Sequence, residues 1–388
     1  MEKFNENTKE NIEIKEFSDL RNLDLSDKDF KDIPIEILQK TRFDTSTKWP
    51  SEDKLPDGFI PEKKIMEENK NPGLGIKELH SQGIDGRGVI VAIIDQKLDF
   101  NHPEYKDSLV DYEEYQITED EHMSMHGPAV ASSLVGKECG VAPGSKLVYK
   151  ALPGGRNWAL ESEALNDIIE YNKNINEKEK IRIVSCSIDY SLNEKEKDLD
   201  KWINSINKAK EAGIFIIDAG GKHTSLDFTG GGSITNKEDF EEYDEYLYFR
   251  DEKAPDLKNV DEMIKKARLH KEYDKFTDSD LKKIFEERRL ALKKYKEEVI
   301  TIPSDYRTLA ASYNELGGYM YGGRGGISWA TPYLAGVLAM ALQIKSDIKL
   351  EEFSKIVKET AVKTKKGLKV INPPGIIEEG KKMVEKEK

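Results

Sequence analysis

Four uninterrupted runs of mostly apolar residues constrain the fold of this chain more than any other feature. The first, Val89–Ile94, is β-branched and shows no alternation, and similar runs follow at Lys146–Leu152, Ile181–Ser187 and Gly213–Ala219. A strand buried on both faces of a parallel sheet needs such a continuous run, whereas a strand with one wet face alternates polar and apolar residues. The runs therefore predict a parallel sheet that is covered on both sides.

Helical stretches separate these runs. In Ala159–Tyr171 and Glu194–Ala212, apolar residues recur three or four positions apart, as on a helix with one buried face. Strand and helix alternating at this spacing predict an α/β fold: a doubly wound, mainly parallel sheet with helices on both faces and right-handed crossovers. Sites in such folds lie just beyond the carboxyl ends of the strands.

Two charged regions lie outside this pattern. Residues 1–70 are predicted to be an N-terminal charged extension and linker, followed by one domain over residues 71–388. Leu20, Leu25 and Phe30 recur every five residues, which leaves two interpretations: a solvated arm with a few anchoring hydrophobic residues, which we favour, or a small coil-like repeat.

Between about 222 and 298 the α/β pattern breaks. The high charge of this region predicts a surface helical insertion, with a partner-binding arm as the alternative.

Composition excludes several functions. The 61 basic and 74 acidic residues give a net charge of −13, and no basic patch suits a nucleic acid. Two cysteines, Cys139 and Cys186, exclude a disulfide framework and fit a reducing compartment. The start of the chain lacks a signal-peptide pattern, and the longest apolar run, Tyr333–Leu342, is too short to cross a bilayer. We therefore expect a cytoplasmic protein that binds neither membrane nor nucleic acid.

Three residues lie where a buried element meets a loop. Asp95 ends the first apolar run, and His126 begins a stretch of small residues that predicts a closely packed helix. Ser328 follows a glycine-rich segment and begins a predicted apolar helix, with Pro332 in its first turn. Taken singly, each has a purely structural interpretation: Asp95 as a turn or cap residue, His126 as a structural histidine and Ser328 as an N-cap. Together they supply a carboxylate, a general base and a nucleophile.

The segments around these residues resemble the subtilisin-like serine peptidases. The matching blocks are Ala92–Asp95, His126–Ala131, Gly140–Pro143 and Gly326–Gly336. The resemblance implies that Ser328 attacks the scissile carbonyl, His126 accepts the hydroxyl proton and passes it to the leaving amine, and Asp95 fixes the imidazole. It also implies that Ser185, Ser187, Ile188 and Gly220 bind substrate; Asp189 stands where the family usually has glycine.

The oxyanion hole departs from the family pattern. Gly221 occupies the position of an asparagine whose amide donates a hydrogen bond, and loss of such a donor typically costs about 10²–10³ in turnover, an effect known from subtilisin. Three explanations stay open: the Ser328 N–H acts with Gly221, His223 or Thr224; the enzyme is slow and selective; or the site is residual.

The sequence thus predicts an intracellular serine endopeptidase, a hydrolase that acts through an acyl-enzyme on a peptide or protein substrate. The alternative is a weak or inactive scaffold that binds peptides or proteins, with residues 222–298 as a docking region. A third option makes residues 1–70 a removable inhibitory pro-segment. No cofactor or metal is expected to be required, since His122 and His126 lack further ligands at zinc spacing. Calcium, which the family often binds, stays open.

Overall fold

The structure, a computed structural model, describes residues 13–188, 196–219, 223–224, 226–245, 260–268, 276–286, 298–312 and 316–387. The strands in chain order are β1 (Arg42–Asp44), β2 (Ile90–Gln96), β3 (Leu109–Glu114), β4 (Lys146–Leu152), β5 (Ile181–Cys186), β6 (Phe215–Asp218), β7 (Phe228–Gly232), β8 (Asp244–Glu245), β9 (Ile300–Pro303), β10 (Arg307–Ala310), β11 (Tyr319–Gly322), β12 (Val362–Lys363) and β13 (Lys369–Val370). The helices are α1 (Ile35–Gln39), α2 (Ile76–Ser81), α3 (His126–Val135), α4 (Trp158–Lys173), α5 (Leu199–Glu211), α6 (Val260–Ala267), α7 (Ile327–Ile344), α8 (Leu350–Thr360) and α9 (Pro373–Lys386).

A five-stranded parallel sheet in the order β3-β4-β2-β5-β6 lies at the centre of the protein. Four of its strands come from the four apolar runs. Side chains alternate across the sheet, so Val91 and Ile93 pack in one apolar core with α3 and α7, while Ala92 and Ile94 pack in another with α4 and α5. The predicted α/β fold, a parallel sheet covered by helices on both faces, is confirmed.

A second sheet lies within and beyond the predicted insertion. Its order is β12-β13-β9-β7-β8, and β7 pairs in parallel with β9. All five residues of β7 are buried. The expectation that the helical insertion starts near residue 222 is therefore wrong, because an apolar, glycine-rich strand such as Phe228–Gly232 carries no helical period. The longer described helical stretches of this region are α6 and residues 278–286.

The N-terminal segment, defined here as residues 13–70, is packed rather than solvated. Leu20, Leu25 and Phe30 are at most 3% exposed. Their N–H groups donate hydrogen bonds to the carbonyls of Arg42, Lys48 and Lys54, which are six residues apart, at 2.7, 2.7 and 2.8 Å. The five-residue spacing thus belongs to a coil-like repeat, and the solvated arm is wrong. The spacing is explained by the packing, because one apolar side chain in every five residues points into the same core.

Helix α7 is the most apolar helix in the region of the site. With 18 residues and a mean hydropathy of 1.4 it is long and apolar enough to cross a membrane, but 78% of it is buried inside the protein. It contributes Trp329, Tyr333 and Leu334 to the core on one face of the central sheet. Its burial accounts for its composition.

Candidate active site

Asp95 and His126 meet at the carboxyl end of the central strand. Asp95 is the sixth residue of β2, and its side chain is 3% exposed. His126 is the first residue of α3, and its Nδ1 lies 2.6 Å from Asp95 Oδ1. The same carboxylate oxygen accepts the Gln96 N–H at 2.8 Å. A buried carboxylate requires partners of this kind, and here the partner is an imidazole whose orientation the carboxylate fixes.

Gly127 allows the helix to approach the strand this closely. A Cβ atom at this position would lie 2.4 Å from the Gln96 carbonyl oxygen and 2.7 Å from that of Lys97, well inside van der Waals contact. The N-terminus of α3 therefore rests directly on the residues that follow Asp95. Any larger residue would push His126 away from the carboxylate.

A pair of glycines leads the chain to Ser328, in the first turn of α7. Gly326 has φ of 96°, which favours glycine, and a Cβ on Gly325 would lie 1.8 Å from the Ser304 carbonyl oxygen. The Gly325 N–H donates to Asp305 Oδ1 at 2.8 Å, and Ser304 Oγ donates to the same oxygen at 2.9 Å. Asp305 thus fixes the loop that precedes Ser328.

Ser187 links the end of β5 to Ser328. Helix α7 begins at Ile327, so Pro332 lies in its second turn, not in the first turn as predicted. Because proline has no N–H, it leaves the Ser328 carbonyl without its helical donor. Ser187 Oγ donates to that carbonyl at 2.9 Å. The predicted substrate residue Ser187 therefore also has a structural role beside the nucleophile.

His126 lies beside the start of α7 but is not hydrogen-bonded to Ser328. The imidazole lies against the indole of Trp329, the residue after Ser328, with ring centroids 5.2 Å apart. Within the described residues no hydrogen bond joins Ser328 Oγ to His126. Catalytic hydrogen bonds are often long in unliganded sites and tighten when substrate binds.

The electrostatics of the pair favour a protonated imidazole. Burial of His126 disfavours its charged form, but the charge of Asp95 and the hydrogen bond to it outweigh that effect, so the pKa of His126 is raised above the usual 6.5. The carboxylate therefore makes His126 a stronger base than a free histidine.

A cleft of about 270 Å³ opens beside this pair. Its wall includes Asp95, His126, Ser187 and Ile188. It also contains Glu161 of α4, a carboxylate that is 2% exposed. Since these groups face one space, a ligand that touches His126 can also reach the end of β5 and helix α4.

The other predicted site residues are distributed as follows. Ser185 lies within β5 and is 2% exposed, so its side chain is not open to the cleft. The His223 N–H faces Asp218 Oδ1 at 3.4 Å, and Lys210 Nζ lies 3.3 Å from His223 Nδ1. Asp189, Gly220 and Gly221 lie outside the described residues, so the oxyanion assignment stays a prediction.

Sequence reasoning missed two acidic residues, Asp305 and Glu161. Asp305 follows β9 by two positions, so the rule that identified Asp95, an acid just after a buried strand, would have found it. Glu161 lies in the first turn of a helix, where acids are common, and nothing in the sequence separates it from an ordinary capping residue. In the part of the chain that the structure describes, no group of three or more His, Cys, Asp or Glu could hold a metal ion.

Comparison with known proteins is consistent with this arrangement. A sequence model of the subtilase family matches residues 86–244, a range that includes Asp95 and His126 and ends before Ser328. The major intracellular serine protease of Bacillus subtilis (strain 168) is 24% identical over 181 residues, which are 42% of this chain and 53% of that protein. The chain thus matches about half the length of this curated relative.

Solved structures that match this chain include a maturation protease and a macrocyclase domain. The prenylagaramide maturation protease PagA is 19% identical, with a TM-score of 0.47, over 79% of this chain and 98% of that one. The PatG macrocyclase domain is 13% identical, with a TM-score of 0.47, over 78% and 94% of the two chains.

The fold and the site define an α/β protein with an aspartate–histidine pair at the carboxyl edge of its parallel central sheet. The sequence match confirms that residues 86–244 resemble the subtilase family, as the sequence motifs predicted.

Proposed function

We propose that this protein is a cytoplasmic serine endopeptidase that uses Asp95, His126 and Ser328. The observation that carries the proposal is the 2.6 Å contact between Asp95 Oδ1 and His126 Nδ1 at the rim of the sheet, in a cleft shared with Ser187. The family match supports the reaction class. The name of the curated relative and two buried free cysteines support an intracellular location.

In this proposal each group has one task. Ser328 Oγ attacks the scissile carbonyl as His126 Nε2 takes its proton, and the imidazolium then protonates the leaving amine. Asp95 holds the tautomer that presents Nε2. The Ser328 N–H, in the first turn of α7, has no helical acceptor and is free to donate to the developing oxyanion. Water, activated by His126, then hydrolyses the acyl-enzyme.

The second candidate is a peptide-binding scaffold without efficient catalysis. Two observations favour it: Ser328 Oγ is not hydrogen-bonded to His126 within the described residues, and Gly221 replaces the asparagine of the family. This candidate, too, would use the cleft to hold an extended peptide. It predicts peptide binding that is unaffected by Ser328→Ala.

A fluorophosphonate probe and a fluorogenic peptide library separate the two. The proposal predicts covalent labelling and peptide cleavage by the wild-type protein, and loss of both in Ser328→Ala. Ser346→Ala is the matched control, because Ser346 is an exposed residue just after α7. Cleavage that survives Ser328→Ala, or a wild type that the probe does not label, would refute the peptidase.

The pH profile gives a further test. His126 must be neutral to accept the proton, and its pKa is raised. We therefore expect kcat/KM to fall on acidification already above pH 6.5, the pKa of an unperturbed histidine. In Asp95→Asn the turnover should drop by about 10⁴. An acid limb centred below pH 6.5 would contradict this assignment.

A further inference from the structure

Glu161 is a buried acid in the same cleft as the Asp95–His126 pair. The residue is 2% exposed and lies in the first turn of α4. Its Oε1 accepts the Asn157 N–H at 3.1 Å, while its Oε2 is buried without a hydrogen-bond partner among the described residues. One carboxylate oxygen therefore caps the helix and the other has no protein partner.

Such an oxygen is costly to bury. Loss of water raises the pKa of Glu161, and the backbone N–H groups of Asn157 and of Glu161 itself, together with the charge of Arg156, only partly offset this effect. A hydrophobic residue would fill the same space without that cost. The carboxylate is therefore best explained by a cation that binds in the cleft and supplies the missing partner.

The cations already present in the cleft are engaged elsewhere. Arg156 also lines the cleft, but its Nη1 pairs with Glu196 Oε1 at 2.8 Å and its guanidinium lies over the Trp158 ring, 5.2 Å from the centroid. His126 is paired with Asp95. The negative charge of Glu161 thus has no direct counterion in the described part of the cleft.

We propose that Glu161 selects a lysine or arginine side chain in the substrate, at a position a few residues from the scissile bond. This inference rests on the proposed peptidase function. Leu152, Pro153 and Ile188 line the cleft beside Glu161 and suit the aliphatic stem of a basic residue. A metal ion is a poorer fit, because it requires several ligands and the other carboxylate that lines the cleft, Asp95, is paired with His126.

A positional library tests the assignment. The wild type and Glu161→Gln are compared on fluorogenic peptides in which Lys, Arg, norleucine or Gln occupies each position in turn. Glutamine keeps the oxygen that caps α4 and removes the charge. We expect the wild type to prefer Lys or Arg at one position by about 10–100-fold in kcat/KM, the range for a charge-assisted hydrogen bond, and the variant to lose that preference. Glu163→Gln, on the exposed side of the same helix, should keep it.

A binding experiment keeps this inference separate from the question of catalysis. Fluorescein-labelled decapeptides with Lys or norleucine at each position are titrated into Ser328→Ala with and without Glu161→Gln. Tighter binding of a Lys peptide that depends on Glu161 supports the inference, even if the wild type cleaves nothing. Equal affinity for Lys and norleucine, no binding of any basic peptide, or an unchanged preference in Glu161→Gln would overturn it.

Discussion

The N-terminal segment and the helical insertion are similar in sequence and different in structure. Both are charged regions outside the α/β pattern, and the helical insertion is defined from here on by the described residues 260–268 and 276–286. The N-terminal segment contributes most of one apolar cluster, which it shares with Tyr321 of β11, and its strand β1 pairs antiparallel with β11. The described residues of the insertion form a small cluster of their own, in which Leu281 and Phe285 are buried. The first region is part of the body of the protein, and the second packs on itself.

The N-terminal segment also reaches both sides of the candidate site. Arg42 Nη2 donates to the Arg324 carbonyl at 2.9 Å, and the Gly323 N–H donates to the Thr41 carbonyl at 3.0 Å, so it contacts the loop that leads to Ser328. Arg21 Nη1 contacts Sδ of Met125, the residue before His126. A charged composition therefore does not show whether a segment contributes to the site, whereas its hydrogen bonds to the loops before Ser328 and His126 do.

Deletion of either region should give the largest difference between the two in stability and in labelling of the site. Removal of residues 1–70 exposes β11 and the apolar cluster, so we expect loss of the cooperative unfolding transition and of fluorophosphonate labelling. Replacement of residues 260–286 by a short Gly/Ser linker should leave labelling within about twofold and the melting temperature within a few degrees. Calorimetry and gel-based labelling measure both.

An inhibitory pro-segment predicts the reverse for the first deletion. Removal of residues 1–70 would then increase labelling and leave a folded protein. The same result would show that the contacts of Arg21 and Arg42 with the site loops are not needed for the site to form.

Single leucines sharpen the comparison. Leu25 and Leu281 are both completely buried. Leu25→Ala should lower the global free energy of unfolding by about 2–5 kcal/mol, because it leaves a cavity in a cluster continuous with β11. Leu281→Ala should leave the global transition unchanged and increase hydrogen exchange only within the insertion. Equal losses of global stability in the two variants would mean that the insertion also belongs to the cooperative core.

Arg42 tests whether the N-terminal segment positions the nucleophile. Arg42→Ala removes the donor to the Arg324 carbonyl four residues before Ser328, and we expect kcat to fall by about tenfold with little change in KM. Lys48→Ala is the control, since Lys48 forms an exposed pair with Asp24 and should leave kcat unchanged. A change in KM alone would instead place Arg42 in substrate binding.

The sequence was sufficient for the parallel sheet, because buried strands such as Val89–Ile94 leave a pattern that helices and wet strands do not produce. It also selected Asp95 and His126 as candidate site residues, since each stands at the boundary of a strongly patterned element, and the structure places the two side chains in contact. It failed for the N-terminal segment, where a five-residue period matches neither helix nor strand, and for β7, whose glycines carry little hydrophobic signal. Glu161 was missed because its significance depends on which cleft α4 faces, and that is a tertiary fact.

The smallest expected effect concerns the ion pair of the insertion. Arg268 and Asp278 connect α6 to residues 278–286, and Arg268 also donates to the Phe276 carbonyl at 2.9 Å. Asp278 is 74% exposed and Arg268 34%, so solvent screens the pair and its contribution is at most about 1 kcal/mol. Arg268→Ala should therefore leave labelling and the global melting temperature unchanged, while exchange rises within residues 260–286. If labelling changed as well, the insertion would be coupled to the site despite packing on itself, and the contrast with the N-terminal segment would be one of degree.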